Sequence, residues 1–275
     1  MARINEALAD LISSLDETFA SGQFELGPHC QDAFSVFAQI PGIGAELINR
    51  ELSRLVSRPP TMGDWRPGEV IVHADPRYTL SMVLRERARP FIHSSPAYEL
   101  QAIISPLKTA IHYTYWRFPE GYRNDTFDPD LRLIEVSTGA LNQGEVARIG
   151  PEQVFDLAVN QPVALLRLTS APVNQLEWLF SREGLRAWKA SDARLRDTQA
   201  RIAALSLGRL ATRACLEPLV ALTAHPHHAV RWTAVQGIGR LSRAIAIEHL
   251  KVAATDRHPH VRQAAARALE RIESE

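Results

Sequence analysis

The sequence predicts an α+β protein with a helical lead over residues 1–60, an antiparallel β-barrel or β-sandwich over 61–172, and a stack of helical repeats over 173–275. Three observations support this fold class. Apolar residues recur at three- and four-residue spacing near the N-terminus, short β-branched and aromatic segments follow, and the last third repeats itself at an interval of 31 residues. Hydrophobic residues make up 45% of the chain and charged residues 23%, as in globular proteins.

The helical lead is predicted from three apolar stripes. Residues 4–19 carry the longest stripe, which is typical of one helix packed on a core. A second, short helix is expected over residues 32–37, with Asp32 as its cap. A third is expected over residues 47–56, and Pro59 and Pro60 would end it, because proline cannot continue a helix.

The central β region is predicted from short segments rich in β-branched and aromatic residues, separated by Pro, Gly and Asn/Asp clusters. The segments are 78–84, 98–105, 110–117, 131–137 and 163–169, with two shorter pieces around Ile71 and around Val154. Many short strands at this spacing indicate an antiparallel arrangement rather than βαβ units. Helical pattern is expected to resume near Gln175, with Leu176, Leu179 and Phe180 on one face.

The last third carries an internal repeat. Val230 and Arg231 recur as Val261 and Arg262, and the equivalent pairs also include Ala234 with Ala265, Arg240 with Arg271, and Leu219 with Leu250. Each copy contains a helix, a polar turn and a second helix that opens with Val-Arg. This pattern resembles the HEAT repeat family, and the resemblance implies stacked helix pairs that present a surface to a protein partner.

Arg231 and Arg262 allow two interpretations. In repeats of this kind the arginine after valine usually pairs locally, and Asp256 is in place to serve Arg262. The alternative is that both arginines contact the partner, which makes them the candidate partner-binding residues.

Histidines crowd the two turns between these helices, at His225, His227, His228, His258 and His260. Their H-x-H-H and H-x-H spacings suggest a metal site, but no cysteine or carboxylate ligand set accompanies them. We therefore expect these histidines to be solvated turn residues.

Two spacings in the central region point to a candidate ligand site. The positions are His93, Ser95 and Glu99 in one segment and Pro151, Asp156 and Asn160 in another. They are similar to the two motifs of the cupin family, in particular the small cupins related to cysteine dioxygenase. The resemblance implies a β-barrel that gathers these residues at one interior site.

This sequence departs from the cupin pattern at the ligand positions. Ser95 stands where the family has its second histidine. Asp156, or Phe155 if the motif is shifted by one residue, stands where the second motif has a histidine. A thiol dioxygenase of this family holds ferrous iron with three imidazoles, which the motif positions here do not supply. We therefore expect no metal. If a divalent metal such as iron does bind, its ligands would be His93, Glu99 and Asp156.

An aromatic strand over residues 112–117 adds further pocket candidates. Alternation places Tyr113 and Tyr115 on one face and His112 on the other. Such a strand is ordinary sandwich core in most proteins, but aromatic residues with polar tips also line ligand pockets. His112, Tyr113 and Tyr115 are therefore expected at a pocket together with the cupin-like positions.

The distribution of charge favours two units with different partners. From Arg182 onward there are 16 Lys+Arg and 9 Asp+Glu, so this part carries +7 and the remainder carries −7, for a net charge of zero. The first 17 residues lack the apolar core of a signal peptide, and the chain has two cysteines, Cys30 and Cys215, without a CxxC pair. We therefore expect a cytoplasmic protein that spans no membrane.

These features predict a binding or adaptor protein, in which the repeats engage a macromolecular partner and the β domain binds a small ligand. The alternative is a cupin-type non-haem metal oxygenase, similar to thiol dioxygenases, whose repeats recruit a protein or peptide substrate. Nucleic-acid binding by the basic repeats is a further alternative, which the modest excess of +7 and the lack of aromatic-basic interleaving disfavour. The sequence does not decide whether the chain is an enzyme.

Overall fold

The computed structural model describes residues 2–20, 25–57 and 68–274. The chain forms two compact units, Met1–Ser191 and Asp192–Glu275. The first unit contains the helical lead and an antiparallel β-sandwich, and the second is a helical-repeat unit. The α+β fold class predicted from the sequence is therefore confirmed.

Three helices open the first unit: α1 (Ala2–Ala20), α2 (Pro28–Ala38) and α3 (Ile43–Ser57). The apolar stripe of α1 is buried as expected. Its residues Ile4, Leu8, Leu11, Leu15 and Phe19 are each no more than 6% exposed.

The second and third helices differ from their predictions. Helix α2 begins at Pro28, whose fixed φ suits a first helical turn, so Asp32 lies inside the helix and does not cap it. In α3, the side chains of Ile48, Leu52 and Val56 are exposed, Val56 by 89%. Pro59 and Pro60 lie outside the described residues.

Eleven strands follow in the described part of the first unit: β1 (Glu69–Asp75), β2 (Tyr78–Arg85), β3 (Phe91–His93), β4 (Glu99–Ile103), β5 (Ile111–Arg117), β6 (Ile134–Leu141), β7 (Val146–Ile149), β8 (Gln153–Leu157), β9 (Val163–Ser170), β10 (Leu176–Ser181) and β11 (Ala187–Asp192). Every predicted segment falls on one of these strands. The sequence patterns missed β3, β7, β10 and β11.

The strands form a sandwich. One sheet has five strands in the order β1-β2-β9-β4-β7, and the other side consists of two three-stranded sheets, β11-β10-β3 and β6-β5-β8. An antiparallel bridge between Ser94 and Val154 joins these two smaller sheets. Neighbouring strands are mostly distant in sequence, so side chains from many segments meet between the sheets.

Because successive side chains of a strand point to opposite faces of the sheet, each strand contributes side chains to two hydrophobic cores. On the five-stranded sheet, Leu80 and Leu168 pack against the lead helices, whereas Val83 and Leu165 point between the sheets. On the smaller sheets, Trp178 belongs to a separate core on the outer face. The interior of the sandwich is therefore the layer into which Val83 and Leu165 point.

The prediction that helix resumes near Gln175 is wrong, because β10 and β11 occupy most of residues 176–192. Leu176, Trp178 and Phe180 are buried, while Leu179 between them is less so. The true period of this segment is two, and pairing with β3 fixes it as a strand. Leu176, Leu179 and Phe180 satisfied helical spacing only by coincidence. The helical unit consequently begins at Asp192 rather than at residue 173.

The second unit contains α4 (Leu195–Leu210), a short 3₁₀ turn (Arg213–Cys215), α5 (Leu216–Leu222), α6 (His228–Leu241), α7 (Arg243–Ala253) and α8 (Pro259–Glu273). Residues 200–272 are all described and contain no strand. Helices α6 and α8 fall where the repeat predicted its second helices. None of the described helices in either unit is long and apolar enough to span a membrane.

A close approach between α4 and α6 depends on glycine. A Cβ added to Gly208 would lie 2.7 Å from Cα of Gly237, and one added to Gly237 would lie 2.8 Å from Cδ2 of Leu219. A Cβ added to Gly239, two residues further along α6, would lie 3.8 Å from Cβ of Ala246, which is an ordinary van der Waals contact. The first two glycines therefore set the distance between these helices.

Candidate functional site

The interior of the β-sandwich changes from apolar to polar along the five-stranded sheet. Inward positions Val83 and Leu165 are followed by Ser81 and Arg167, which pair directly across β2 and β9. Gln101 on β4 pairs with Arg167 from the other side. A polar layer therefore crosses three neighbouring strands.

Glu99 is the central carboxylate of this layer and is buried. The hydroxyl of Ser95 donates to Glu99 Oε1 at 2.8 Å, and the amide of Gln101 donates to Oε2 at 2.8 Å. Two of the predicted pocket residues, Ser95 and Glu99, are thus in direct contact. Their hydrogen bonds use both oxygens of the carboxylate.

Arg167 is the first of three arginines near Glu99. Its Nη2 donates to Glu69 Oε1 at 2.5 Å. Burial disfavours its charge, but the carboxylates of Glu99 and Glu69 outweigh burial and raise the pKa of Arg167. The positive charge of Arg167 is therefore balanced by neighbouring carboxylates.

Arg85 and Arg89 are cations of a different kind. Within the described residues, neither guanidinium has a hydrogen bond or an ion pair, and Nε of Arg85 is shielded from solvent. Burial, together with the positive charges of Arg89 and Arg167, lowers the pKa of Arg85 to about 10. Burial and Arg167 also lower the pKa of Arg89. We call Arg85, Arg89 and Arg167 the arginine cluster.

His93 lies on the face of β3 opposite Ile92, which belongs to the outer core. Its Nδ1 is 3.3 Å from Oε1 of Glu177. Glu177 also acts electrostatically on Arg89 and Arg167, which places the His93–Glu177 pair beside the arginine cluster.

Asp156 comes from β8, where it pairs with Thr114 of β5. Arg182 donates to its Oδ2 at 2.8 Å and to the carbonyl of Arg89 at 2.7 Å. The charge of Asp156 acts on Arg85 and Arg89, so this carboxylate, like Glu177, lies near the arginine cluster.

This arrangement does not fit the metal that the cupin resemblance implies. His93 is engaged by Glu177, both oxygens of Glu99 accept hydrogen bonds, and Asp156 is held by Arg182. The cations nearest these carboxylates would also repel a divalent ion. Among the described residues, the ligand atoms of His93, Glu99 and Asp156 do not form a group within 4.8 Å of one another.

The aromatic strand β5 lies in the apolar part of the interior. Tyr113 and Tyr115 pack around Phe155, with ring centroids 5.5 Å and 4.8 Å away respectively. The hydroxyl of Tyr115 donates to the carbonyl of Arg148 at 3.0 Å, and burial raises the pKa of Tyr115 to about 12. His112 is exposed on the opposite face, so it does not join the tyrosines.

In the helical unit, Arg231 is buried in a network that the sequence predicted for a different arginine. Its Nε and Nη2 donate to the two oxygens of Asp256 at 2.7 and 2.6 Å. Its Nη1 donates to the carbonyls of His225 and Pro226 at 2.9 and 2.8 Å. Arg231 therefore has a structural role within the unit.

Arg262 repeats half of this network. Its Nη1 donates to the carbonyls of Asp256 and Arg257 at 2.7 and 2.9 Å, which are the positions 31 residues beyond those that Arg231 contacts. The predicted pairing of Arg262 with Asp256 is wrong, because that carboxylate faces back toward Arg231. Arg262 is exposed and stays a candidate for partner contact.

The turn histidines are not simply solvated, as the sequence suggested. His227 and His258 are only 3% and 4% exposed and occupy equivalent N-cap positions of α6 and α8. Burial lowers the pKa of His227 despite its carboxylate neighbours. His228, His258 and His260 bring ring nitrogens within 4.8 Å of one another. We call these three residues the histidine trio.

Residues 191–270 match the family model of HEAT repeats. This confirms the resemblance inferred for the last third of the chain. The match covers less than half of the sequence and identifies the helical unit alone. No curated protein matches the chain.

The β region resembles solved cupin-fold enzymes in shape. A hydroquinone 1,2-dioxygenase from Sphingomonas sp. TTNP3 is 14% identical, with 39% of this chain and 67% of that chain covered and a TM-score of 0.31. A DMSP lyase from Ruegeria pomeroyi DSS-3 is 14% identical, covering 38% and 43%, with a TM-score of 0.24. A salicylate 1,2-dioxygenase from Pseudaminobacter salicylatoxidans is 11% identical, covering 47% and 33%, with a TM-score of 0.26.

With TM-scores below 0.5, these similarities assign no activity to this chain. The matched part spans less than half of the lyase and of the salicylate dioxygenase.

Proposed function

We propose that this protein is a binding protein whose β-sandwich takes a small organic anion and whose helical repeats engage a protein partner. The observation that supports the ligand class is the arginine cluster, in which Arg85 and Arg89 find no acceptor among the described residues.

The charge of the cluster argues for an anion rather than a cation. Four carboxylates lie near the cluster, and each already has a partner. Glu69 is paired with Arg167, Glu99 with Ser95 and Gln101, Glu177 with His93, and Asp156 with Arg182. Two partly buried guanidinium groups therefore remain unpaired within the described part of the chain, and burial of an unpaired cation costs free energy. A carboxylate or phosphate group would accept two parallel N–H bonds from such a group.

The interior also favours an organic ligand. Val83 and Leu165 lie between the sheets next to the polar layer, and Tyr113 and Tyr115 extend this apolar lining. Ligand pockets commonly combine such walls with a few convergent polar groups. We therefore expect a ligand with an anionic head and an apolar body.

A metal-dependent oxygenase is the weaker alternative for this chain, because the ligand atoms of His93, Glu99 and Asp156 do not come within 4.8 Å of one another in the described structure. The two free cysteines, Cys30 and Cys215, are both buried and are compatible with the reducing cytoplasm that we propose as the location.

The ligand proposal is tested by isothermal titration calorimetry of the full chain against aliphatic and aromatic carboxylates and their phosphate analogues. We expect saturable binding of at least one anion, weakened about tenfold or more in Arg85→Met, because a lost charge-assisted bond costs about 1.5–3 kcal/mol. Arg117→Met removes an exposed arginine of β5 and is the matched control. Equal affinities in both variants, or binding of amines only, would exclude the anion site.

For the protein partner, the helical unit offers a groove of about 210 Å³ between α6, α7 and α8. Trp232, Leu250 and Ile272 line it, and Arg243 and Arg271 stand at its side. Such a groove suits an apolar side chain flanked by acidic residues. If affinity selection identifies a peptide partner, Ile272→Asp should weaken its binding, whereas Glu273→Gln should not.

A further inference from the structure

We infer that the histidine trio is a binding site for a divalent transition metal of the zinc type, located in the helical unit and independent of the β-sandwich. His228 comes from the first turn of α6, and His258 and His260 come from the start of α8. Their donor nitrogens all lie within 4.8 Å of one another. Imidazole is a preferred ligand of zinc, copper and nickel.

The trio lies at the N-termini of α6 and α8, each of which carries a partial positive charge. The same charge opposes a metal cation, but a helix terminus contributes far less free energy than several metal–nitrogen bonds. Asp256, which accepts the backbone N–H of His258 at 2.7 Å, is already paired with Arg231, so the metal–nitrogen bonds must supply the affinity.

The three histidines of the trio differ in exposure, as expected for a metal site that is open to solvent on one side. His258 is buried, His228 is intermediate and His260 is exposed. Three protein nitrogens with one side open to water would leave a coordination position for solvent or for another ligand. We therefore assign three imidazoles and one exchangeable ligand to the metal.

Metal binding requires a small rearrangement of the rings. The rings of His228 and His258 are stacked, with their centroids 3.6 Å apart and an angle of 4° between the ring planes. A metal lies in the plane of each ligating imidazole, so one of these rings must tilt. His258 Nδ1 accepts the N–H of His260 at 3.3 Å, a long bond whose loss costs little.

A metal held in this way would fasten the start of α6 to the start of α8. These helices belong to successive repeats, so the site would link two repeats at their turns. Binding should therefore raise the melting temperature of the chain.

The test uses the full chain without a polyhistidine tag, stripped with a chelator and titrated with Zn²⁺ against a chromogenic competitor. We expect one Zn²⁺ per chain, and a loss of affinity of at least tenfold in His260→Ala and in His228→Gln. His260 is exposed, so its variant should fold. His249→Ala, in α7 outside the trio, is the matched control.

Cobalt substitution gives a second readout, since tetrahedral nitrogen coordination produces an intense visible absorption. That band should appear in the wild type and disappear in His260→Ala. Zinc that binds equally well to the wild type and to both trio variants would overturn the inference. Zinc lost instead in His93→Ala would also overturn it and would place the metal in the β-sandwich.

Discussion

Arg231 and Arg262 occupy equivalent positions 31 residues apart, yet only Arg231 is buried and bound to a carboxylate. Both arginines use Nη1 to hold the carbonyls of the preceding turn. The difference is that Asp256 lies opposite Arg231. The role of one residue in a repeat thus depends on the turn that follows it.

Removal of this carboxylate should be costly. We predict that Asp256→Asn lowers the free energy of unfolding by about 3 kcal/mol, because it leaves the Arg231 guanidinium buried without a counter-charge. Urea denaturation followed by circular dichroism measures the change. Glu248→Gln removes an exposed carboxylate paired with Lys251 and should change the stability by less than about 0.5 kcal/mol. Similar values for both variants would contradict the prediction.

The same pair predicts acid sensitivity. Burial opposes ionisation of Asp256, but the hydrogen bonds from Arg231 and from the backbone of His258 prevail and lower its pKa below 3.8. A depressed carboxyl pKa contributes stability that is complete above the unfolded pKa and is lost as the pH falls through the folded value.

Denaturation of the wild type between pH 7 and about 3 should therefore show a loss of stability in the most acidic range. In Asp256→Asn this loss should be smaller. A wild type and variant with parallel pH profiles would rule out this contribution.

At the scale of elements, helix packing in the repeats depends on small residues. Gly208 and Gly237 meet where α4 crosses α6, and Ala265 on α8 is fully buried. The repeat pattern identified Ala234 and Ala265 as equivalent close-packed positions, and both are 0% exposed. It did not identify the glycine contact, because Gly208 meets Gly237 and not its sequence equivalent Gly239.

Gly208→Ala should therefore destabilise the protein by about 1–3 kcal/mol, since its Cβ would meet backbone that cannot move aside easily. Gly239→Ala has room and should be neutral or stabilising by up to about 1 kcal/mol, because alanine favours the helix. Thermal melts of the two variants in parallel make the comparison. A shift of equal sign and size in both would show that the contact does not limit the packing.

Ala265→Leu should overpack the contact between α8 and the neighbouring helices and cost about 1–3 kcal/mol. Ala266→Leu places the same side chain at the adjacent, exposed position and should change stability by no more than about 0.5 kcal/mol. An unchanged melting temperature in Ala265→Leu would mean that the core yields without strain.

Local patterns predicted the elements where one face is clearly apolar. The stripe from Ile4 to Phe19 and the mixed apolar strand 163–169 are examples, and both are confirmed. The prediction for β10 was wrong because its six residues fit both the helical period of 3.6 and the strand period of two. Only the pairing of β10 with β3 decides between these periods. Strand β3 itself has three residues, too few to show any period.

At the scale of the whole molecule, the sequence predicted the order of parts but not the charge inside the β-sandwich. Arg167 directly follows four apolar residues of β9, and this position was the available signal of a buried cation. Arg85 lies at the end of β2 and Arg89 lies in the connection to β3, where arginine is usually exposed. Their convergence follows from strand order, which the sequence does not reveal.

If the arginine cluster binds an anionic ligand, its arginines should lower the free energy of unfolding of the ligand-free protein. We predict that Arg85→Met raises the free energy of unfolding by on the order of 1 kcal/mol, because it removes a desolvated cation next to Arg89 and Arg167. Arg117→Met should leave it nearly unchanged. Thermal denaturation in buffer without added carboxylate or phosphate tests this, and a destabilised Arg85→Met variant would show that the cation is paired.

The ion pair between Arg231 and Asp256 also bears on how the helical unit melts. Each partner belongs to a different repeat, so the buried charge of Arg231 is neutralised only when the next repeat is folded. If α8 and its turn unravelled first, a bare guanidinium would be left in an apolar setting, and α6 would lose its anchor as well. The two repeats should consequently exchange their backbone amides as one cooperative block, and the end of this short solenoid should resist the gradual fraying common in longer arrays.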